Sequence, residues 1–245
     1  MKKGQMWFAG CLMAFGMTVF AAAPTNELAQ IRTQLAVEYS RLGNYKAALL
    51  SADQAITADQ HYVPAYLAKA YVLTLLKVDS EAEQNYQKAL AMEPGNPEAN
   101  NNYGEFLCER GRPQDGMGYF AKALANPLYD TPQTAYLNLG RCSATLGQKT
   151  LANDYLLSAL RVSPNYPPAL KELAALHFGQ GNAKLAAFYF DRLADNVGEM
   201  PADVLLLGVK IARKTSEQGK ADLYAARLKS RYPDSKETQE LLSGL

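Results

Sequence analysis

The chain has 245 residues, 48% of them hydrophobic, and a formal net charge of +1 from 25 basic and 24 acidic residues. That is enough apolar material for a sizeable core, built as one large domain or as a quasi-linear array. The balanced charge excludes the electrostatic footprint of a nucleic-acid binder: no basic run is interleaved with aromatic residues, and there is no acidic tail.

The amino terminus, MKKGQMWFAGCLMAFGMTVFAAAP, has Lys2 and Lys3, an apolar run from Met6 to Phe20, and then small residues. This is the layout of a secretory signal over residues 1–23, and the apolar run is too short for a comfortable membrane span. Two exits are open. Signal peptidase could cut near Ala22, or FAGC could serve as a bacterial lipobox with Cys11 acylated as the first mature residue. Either exit removes the protein from the reducing cytosol and leaves Cys108 and Cys142 as an even pair of thiols.

From Ala29 onward the chain repeats itself in segments of about 34 residues, opening at Ala29, Val63, Pro97, Gln133, Pro167 and Pro201. The eighth position is always small: Ala36, Ala70, Gly104, Gly140, Ala174, Gly208. The twentieth is small as well (Ala48, Ala82, Gly116, Ala152, Ala186, and Ala221 after a one-residue shift), while Tyr86, Phe120, Leu156 and Phe190 fill the twenty-fourth. Small residues let two helices approach closely, and large ones fill the space between neighbouring hairpins. Gly43, Gly111, Gly147 and Gly181 stand where a first helix must reverse into a second.

A hairpin of this size cannot cover its own apolar face, so several must stack. The pattern resembles the tetratricopeptide repeat. It implies an all-α solenoid of about six helix hairpins, over 29–62, 63–96, 97–130, 133–166, 167–200 and 201–234, within one superhelical domain spanning 24–245. The first unit departs most from the consensus, with Arg32 and Gln60, and residues 235–245 read as a short capping helix.

Cys108 and Cys142 fall at positions twelve and ten of the first helices of units three and four. Side-by-side stacking sets them at nearly equal height, within the Cα separation a disulfide requires, and closing that loop contributes roughly 4 kcal/mol in the chain-entropy model. We read them as a disulfide. Buried free thiols remain the alternative. A metal site needs further ligands, whereas His61 and His177 lie in other units, and a redox pair ordinarily shows C-x-x-C spacing.

No nucleophile elbow, phosphate loop, zincin or dinucleotide motif is present, so no catalytic residue, metal, cofactor or small-molecule substrate is assigned. His177, on a first helix, reads as a hydrogen-bonded structural residue rather than a catalytic one. Function is expected on the concave face lined by the first helices. Positions two, five, nine and twelve of those helices, with Asn102 and Asn138 added as adjacent residues, give a patch of Tyr71, Glu98, Asn101, Asn102, Glu105, Asn138 and Arg141. Asparagine disfavours helix interiors, and its amide can pair with an extended peptide backbone, so Asn101, Asn102 and Asn138 are read as partner-binding. Helix capping or bonding between neighbouring helices is the competing reading. Thr33, Val37, Leu67, Tyr71, Asn101 and Glu105 occupy places where a carboxylate clamp would need lysine or arginine.

The run NNYGEFLCERGRPQDGMGYFAKALANPLYDTPQTAYLNLGRC is similar to the PilW/PilF group of type IV pilus biogenesis lipoproteins. The similarity is carried by Asn101, Asn102, Tyr103, Gly104, Phe106, Leu107, Cys108, Gly111, Phe120, Pro127, Tyr129, Pro132, Ala135, Tyr136, Asn138, Gly140 and Cys142. The resemblance implies a Cys108–Cys142 disulfide and acylation of Cys11. It further implies a lipid-anchored, non-enzymatic location on the periplasmic face of the outer membrane, or a soluble periplasmic form without the anchor. The implied partners are the outer-membrane secretin or other pilus assembly proteins, whose localisation, multimerisation or stability such proteins promote. The departure is the short apolar run before Cys11. A periplasmic adaptor for another envelope complex, in peptidoglycan synthesis or outer-membrane protein assembly, is the alternative.

Overall fold

The computed structural model describes residues 27–244; the proposed signal region and Cys11 lie outside them. Within that span six helix hairpins follow one another: α1 (Glu27–Arg41) with α2 (Tyr45–Ala58), α3 (Val63–Leu75) with α4 (Asp79–Met92), and α5 (Pro97–Glu109) with α6 (Pro113–Leu124). Then come α7 (Pro132–Thr145) with α8 (Lys149–Val162), α9 (Pro167–Gly179) with α10 (Ala183–Asn196), and α11 (Ala202–Lys214) with α12 (Gln218–Arg231). A last short helix, α13 (Lys236–Leu242), packs on α11 and α12 and closes the stack. The architecture is the all-α tetratricopeptide solenoid that the repeat implies.

Local chemistry starts and stops these helices. Pro97, Pro113, Pro132 and Pro167 stand at first helical positions, where a missing N–H costs nothing and φ is already helical. Asn44, Asn96 and Ser235 cap by accepting from the backbone N–H three residues on, at 3.2, 2.9 and 3.1 Å. The first helix of every hairpin ends in the same reversal, in which an N–H bonds back to a carbonyl five residues earlier: Asn44 to Tyr39, Val78 to Leu73, Arg112 to Leu107, Gln148 to Ser143, Asn182 to His177 and Glu217 to Ala212. That reversal requires a left-handed residue. Glycine supplies it in four units, but Lys77 (φ 60°) and Ser216 (φ 61°) hold it in the second and sixth.

The small positions are where backbones meet. A methyl group built on Gly116 would lie 2.5 Å from the Gly104 carbonyl oxygen and 2.9 Å from Cys108 Sγ, and one on Gly104 would strike Phe120 at 2.8 Å. Gly140 is closed off in the same way by Leu156, and Gly208 by Phe190. The bulky series Tyr86, Phe120, Leu156 and Phe190 is buried, so the core is a ribbon running between two rows of helices.

The curvature follows from which rows touch. Among the described residues α1, α3, α5, α7, α9 and α11 each contact the next member of that series, whereas no second helix of a hairpin contacts the next second helix. The first helices therefore form the shorter, concave wall.

His177 differs from its sequence reading. It is 6% exposed and stacked at 5.5 Å on Tyr189, with neither ring nitrogen hydrogen-bonded. The hairpin interface that buries it sets an aromatic face against the ring. Burial lowers its pKa below the ordinary imidazole value.

Two outcomes are expected. In urea denaturation Lys77→Gly should raise stability by about 1 kcal/mol, because an L side chain leaves the left-handed region, while Gly116→Ala should lower it by about 1–3 kcal/mol through overpacking. Equal midpoints for both variants and the parent would contradict the packing described. Separately, the depressed His177 pKa means that the unfolded chain binds the proton more readily. Stability present above the usual imidazole range should then fall on acidification through it, and the slope should flatten in His177→Phe when melting is followed from pH 8 to 5.

Candidate protein-binding groove

The concave wall changes character along its length. In the last units one basic residue of each first helix meets an acid on the next helix of the row: Arg141 Nε meets Glu172 Oε1 at 2.9 Å, Lys171 pairs with Asp203, and Lys210 Nζ meets Glu240 Oε1 at 2.6 Å. These are exposed pairs of small individual worth, but they leave no row of free cations for a carboxylate clamp.

The α5–α7 joint is built differently. Cys108 and Cys142 are joined as a disulfide with their Cα atoms 5.8 Å apart. Beside it Asn138 Nδ2 donates to Asn101 Oδ1 at 3.2 Å, and Asn101 Nδ2 donates to Asn102 Oδ1 at 3.2 Å. Asn101 and Asn138 are 4% and 3% exposed. The expectation that both present free amides to the groove is therefore corrected: they bond neighbouring helices. The reason is the stacking itself. Asn101 at position five and Asn138 at position six fall in the joint between first helices, where Thr33, Leu67, Leu137 and Leu205 at position five and Ala68 and Leu206 at position six are buried as well.

Position nine faces the open groove instead, with Tyr71 and Arg141 exposed and Glu105 half-buried. Asn102 is half-buried beside them. Glu98 is exposed at the other end of α5, beside the loop carrying Asn126 and Leu128, and does not share the central cleft. That cleft, about 110 Å³, lies between α5 and α7 over the disulfide and is lined by Glu105, Glu109, Asn138, Arg141, Thr145 and the Phe120 ring. Burial, then the neighbouring Glu109 carboxylate, pushes the Glu105 pKa up, against the Arg141 charge and a hydrogen bond from the Asn138 side chain. Glu105 makes no ion pair among the described residues, since Arg141 is committed to Glu172.

Three contributors escaped sequence reasoning. Asn100, 1% exposed, donates to the carbonyls of Pro94 (2.9 Å) and Asn96 (2.8 Å) and ties α5 to the preceding turn. The run of three asparagines from Asn100 to Asn102 was the available signal. Glu109 and Thr145 line the cleft through helix phase alone. On the opposite side of α5 the Tyr103 hydroxyl donates to Glu83 Oε1 at 2.7 Å, where Arg112 also binds at 2.7 Å. The Tyr103 hydroxyl, chiefly, holds the Glu83 carboxyl below its usual range, while burial pushes Tyr103 up to about 12.

Comparison with known proteins agrees with this architecture. A tetratricopeptide-repeat family model matches residues 29–62 and 133–166, and another matches 85–117. The chain is 31% identical over 207 residues to the type IV pilus assembly protein PilF of Pseudomonas aeruginosa, covering 84% of this chain and 82% of PilF. The crystal structure of PilW, described as a widely conserved type IV pilus biogenesis factor, superposes with a TM-score of 0.77 at 42% identity, over 88% of this chain and 99% of that one. The structure of Pseudomonas aeruginosa PilF superposes with a TM-score of 0.73 at 30% identity, over 90% and 99%.

The two fastenings of the joint are separable. Cys108→Ser should lower thermal stability under oxidising conditions by an amount equal to full reduction of the parent, up to roughly 4 kcal/mol. Asn138→Ala, which orphans the buried Asn101 oxygen, should cost about 1–3 kcal/mol in oxidised and reduced protein alike. An unchanged melting temperature for Asn138→Ala would return that amide to the exposed groove surface.

Proposed function

This chain belongs to the PilF/PilW family of tetratricopeptide-repeat proteins of type IV pilus biogenesis, and from that membership we propose that it is a non-enzymatic, pilotin-like scaffold. Its concave groove holds a polypeptide segment of the outer-membrane secretin, or of another pilus assembly protein, and so promotes secretin localisation, multimerisation or stability. Acylation of Cys11 anchors the scaffold to the periplasmic face of the outer membrane; cleavage near Ala22 leaves it soluble in the periplasm.

The observation that carries this reading is the continuous wall of first helices, stiffened at its middle by a covalent joint. A wall of this kind suits a groove that holds an extended or helical segment, because a pre-organised surface loses less entropy on binding. The chemistry of the wall supports the same conclusion. Arg141, Lys171 and Lys210 are held in ion pairs between repeats, and the buried histidine faces an aromatic ring inside a hairpin.

The decisive experiment is affinity capture from envelope extracts combined with a deletion strain. Recovery of heat-resistant secretin multimers on the captured protein, with loss of those multimers or of functional pili on deletion, is the expected result. Normal multimers and pili in the deletion strain, with recovery of peptidoglycan-synthesis or outer-membrane-assembly proteins instead, would select the alternative envelope adaptor.

A further inference from the structure

The outward face of the second helices changes character in the fifth hairpin. At equivalent repeat positions α4 presents Glu81 and Gln84 to solvent and α6 presents Asp115 and Gly118, but α10 presents Leu185 and Phe188, 40% and 52% exposed. A lone exposed leucine is ordinary on a protein surface. Two large apolar side chains three residues apart are neighbours on one helix face, and solvation alone favours the polar pair that α4 carries there.

Leu185 lines a depression of about 720 Å³ between the α9–α10 turn and the α11–α12 turn, with Lys184, Lys214 and Ser216 around it. Neither Lys184 nor Lys214 forms an ion pair among the described residues, although Lys171, Lys210 and Lys220 of the same two hairpins all do. Two acids of these hairpins, Asp191 and Glu217, are held by Lys220 at 2.9 and 2.7 Å. At the far end of the patch Arg192 lies over the Phe188 ring at 5.7 Å and donates to the Pro164 carbonyl at 2.6 Å, again with no carboxylate partner among the described residues. Three cations without a counter-ion thus flank two exposed apolar side chains.

We propose that this patch on the outer row of helices docks an acidic segment of a partner polypeptide, one that carries a leucine or phenylalanine with aspartate or glutamate on either side. The apolar residue enters the depression beside Leu185 and packs toward Phe188, while the flanking carboxylates meet Lys184, Lys214 and Arg192. Charge complementarity selects the acidic segment: a neutral one leaves three cations uncompensated, and a basic one is repelled. Shape selects a polypeptide over a lipid surface, because a bilayer receives apolar side chains that protrude, whereas the lysines here stand around a hollow. Since the patch belongs to the second helices, it is available while the concave groove is filled, and a partner that reaches both surfaces gains avidity from the second contact.

The test uses the oxidised protein, ¹⁵N-labelled, titrated with capped hexapeptides that place Leu-Phe between two pairs of glutamate, glutamine or lysine. The glutamate peptide should shift the amide signals of Lys184, Leu185, Phe188 and Ser216. The glutamine peptide should bind about five- to ten-fold more weakly, and raising salt from about 0.05 to 0.3 M should narrow that gap. Lys184→Gln combined with Lys214→Gln should cut the glutamate preference to about two-fold or less, and Phe188→Ser should weaken all three peptides. Both variants should keep the parent melting temperature, since the altered side chains are exposed. Equal binding of the glutamate and glutamine peptides, a preference untouched by the lysine variants, or no shift at α10 with any peptide would each overturn the site. Vesicles of phosphatidylglycerol that bind through Phe188 while the peptides show no charge preference would replace it with a lipid surface. None of these results bears on the concave groove, which the envelope capture tests separately.

Discussion

The close approach of paired helices at residues without side-chain bulk is the constraint on which the remaining geometry depends. At Gly104 and Gly116 the backbones of α5 and α6 come within reach of one another, and Cys108 Sγ lies over the same crossing. Any larger residue there would push α6 away from α5, displace the sulfur, and alter the distance to α7. The disulfide, the amide pair and the cleft above them are therefore consequences of one tight crossing. Because each interface in a solenoid is local, a displacement at this crossing is not absorbed by a common core; it changes the pitch of the wall on either side.

The joint between α5 and α7 combines three kinds of restraint that behave differently. The disulfide restricts the unfolded chain and holds regardless of salt. The Asn138–Asn101 bond is short-ranged and directional, and it sets the register of the two helices because a buried amide left alone is costly. The ion pairs farther along are exposed and individually weak. The middle of the wall is thus held by a covalent bond and a buried hydrogen bond, and the last units by softer contacts. Family membership gives this stiffness a setting, since the PilF and PilW structures superpose over nearly their whole length. A scaffold that acts by holding another polypeptide needs its groove formed before the partner arrives.

Where the sequence was informative, the reason lies in periodicity. Small residues at the eighth and twentieth positions and large ones at the twenty-fourth recur often enough to mark six hairpins, because the same steric problem is solved six times. The reversals at Gly43, Gly111, Gly147 and Gly181 were legible for the same reason, whereas Lys77 and Ser216 were not, since nothing in those residue types announces a left-handed backbone. Asn101 and Asn138 show the limit from the other side. Their presence in helices was a visible conflict with local propensity, but whether an amide relieves that conflict against solvent, a partner or a neighbouring helix depends on a rotation of about one residue around the helix axis. His177 was misjudged through the same ambiguity: a helix-A histidine was expected to be hydrogen-bonded, and only the packing of α9 on α10 puts an aromatic face against it.

The sequence alone determined the class of fold, the number of hairpins, the closing helix and the family, because each is encoded in local spacing that any copy of the repeat must satisfy. Tertiary structure alone decided which face of each first helix is open, which amides are buried in the joint, and that Arg141 forms its ion pair with Glu172 rather than with Glu105. Those outcomes depend on the angle between successive hairpins. That angle is a sum over many small packing contacts, and no single residue type records it.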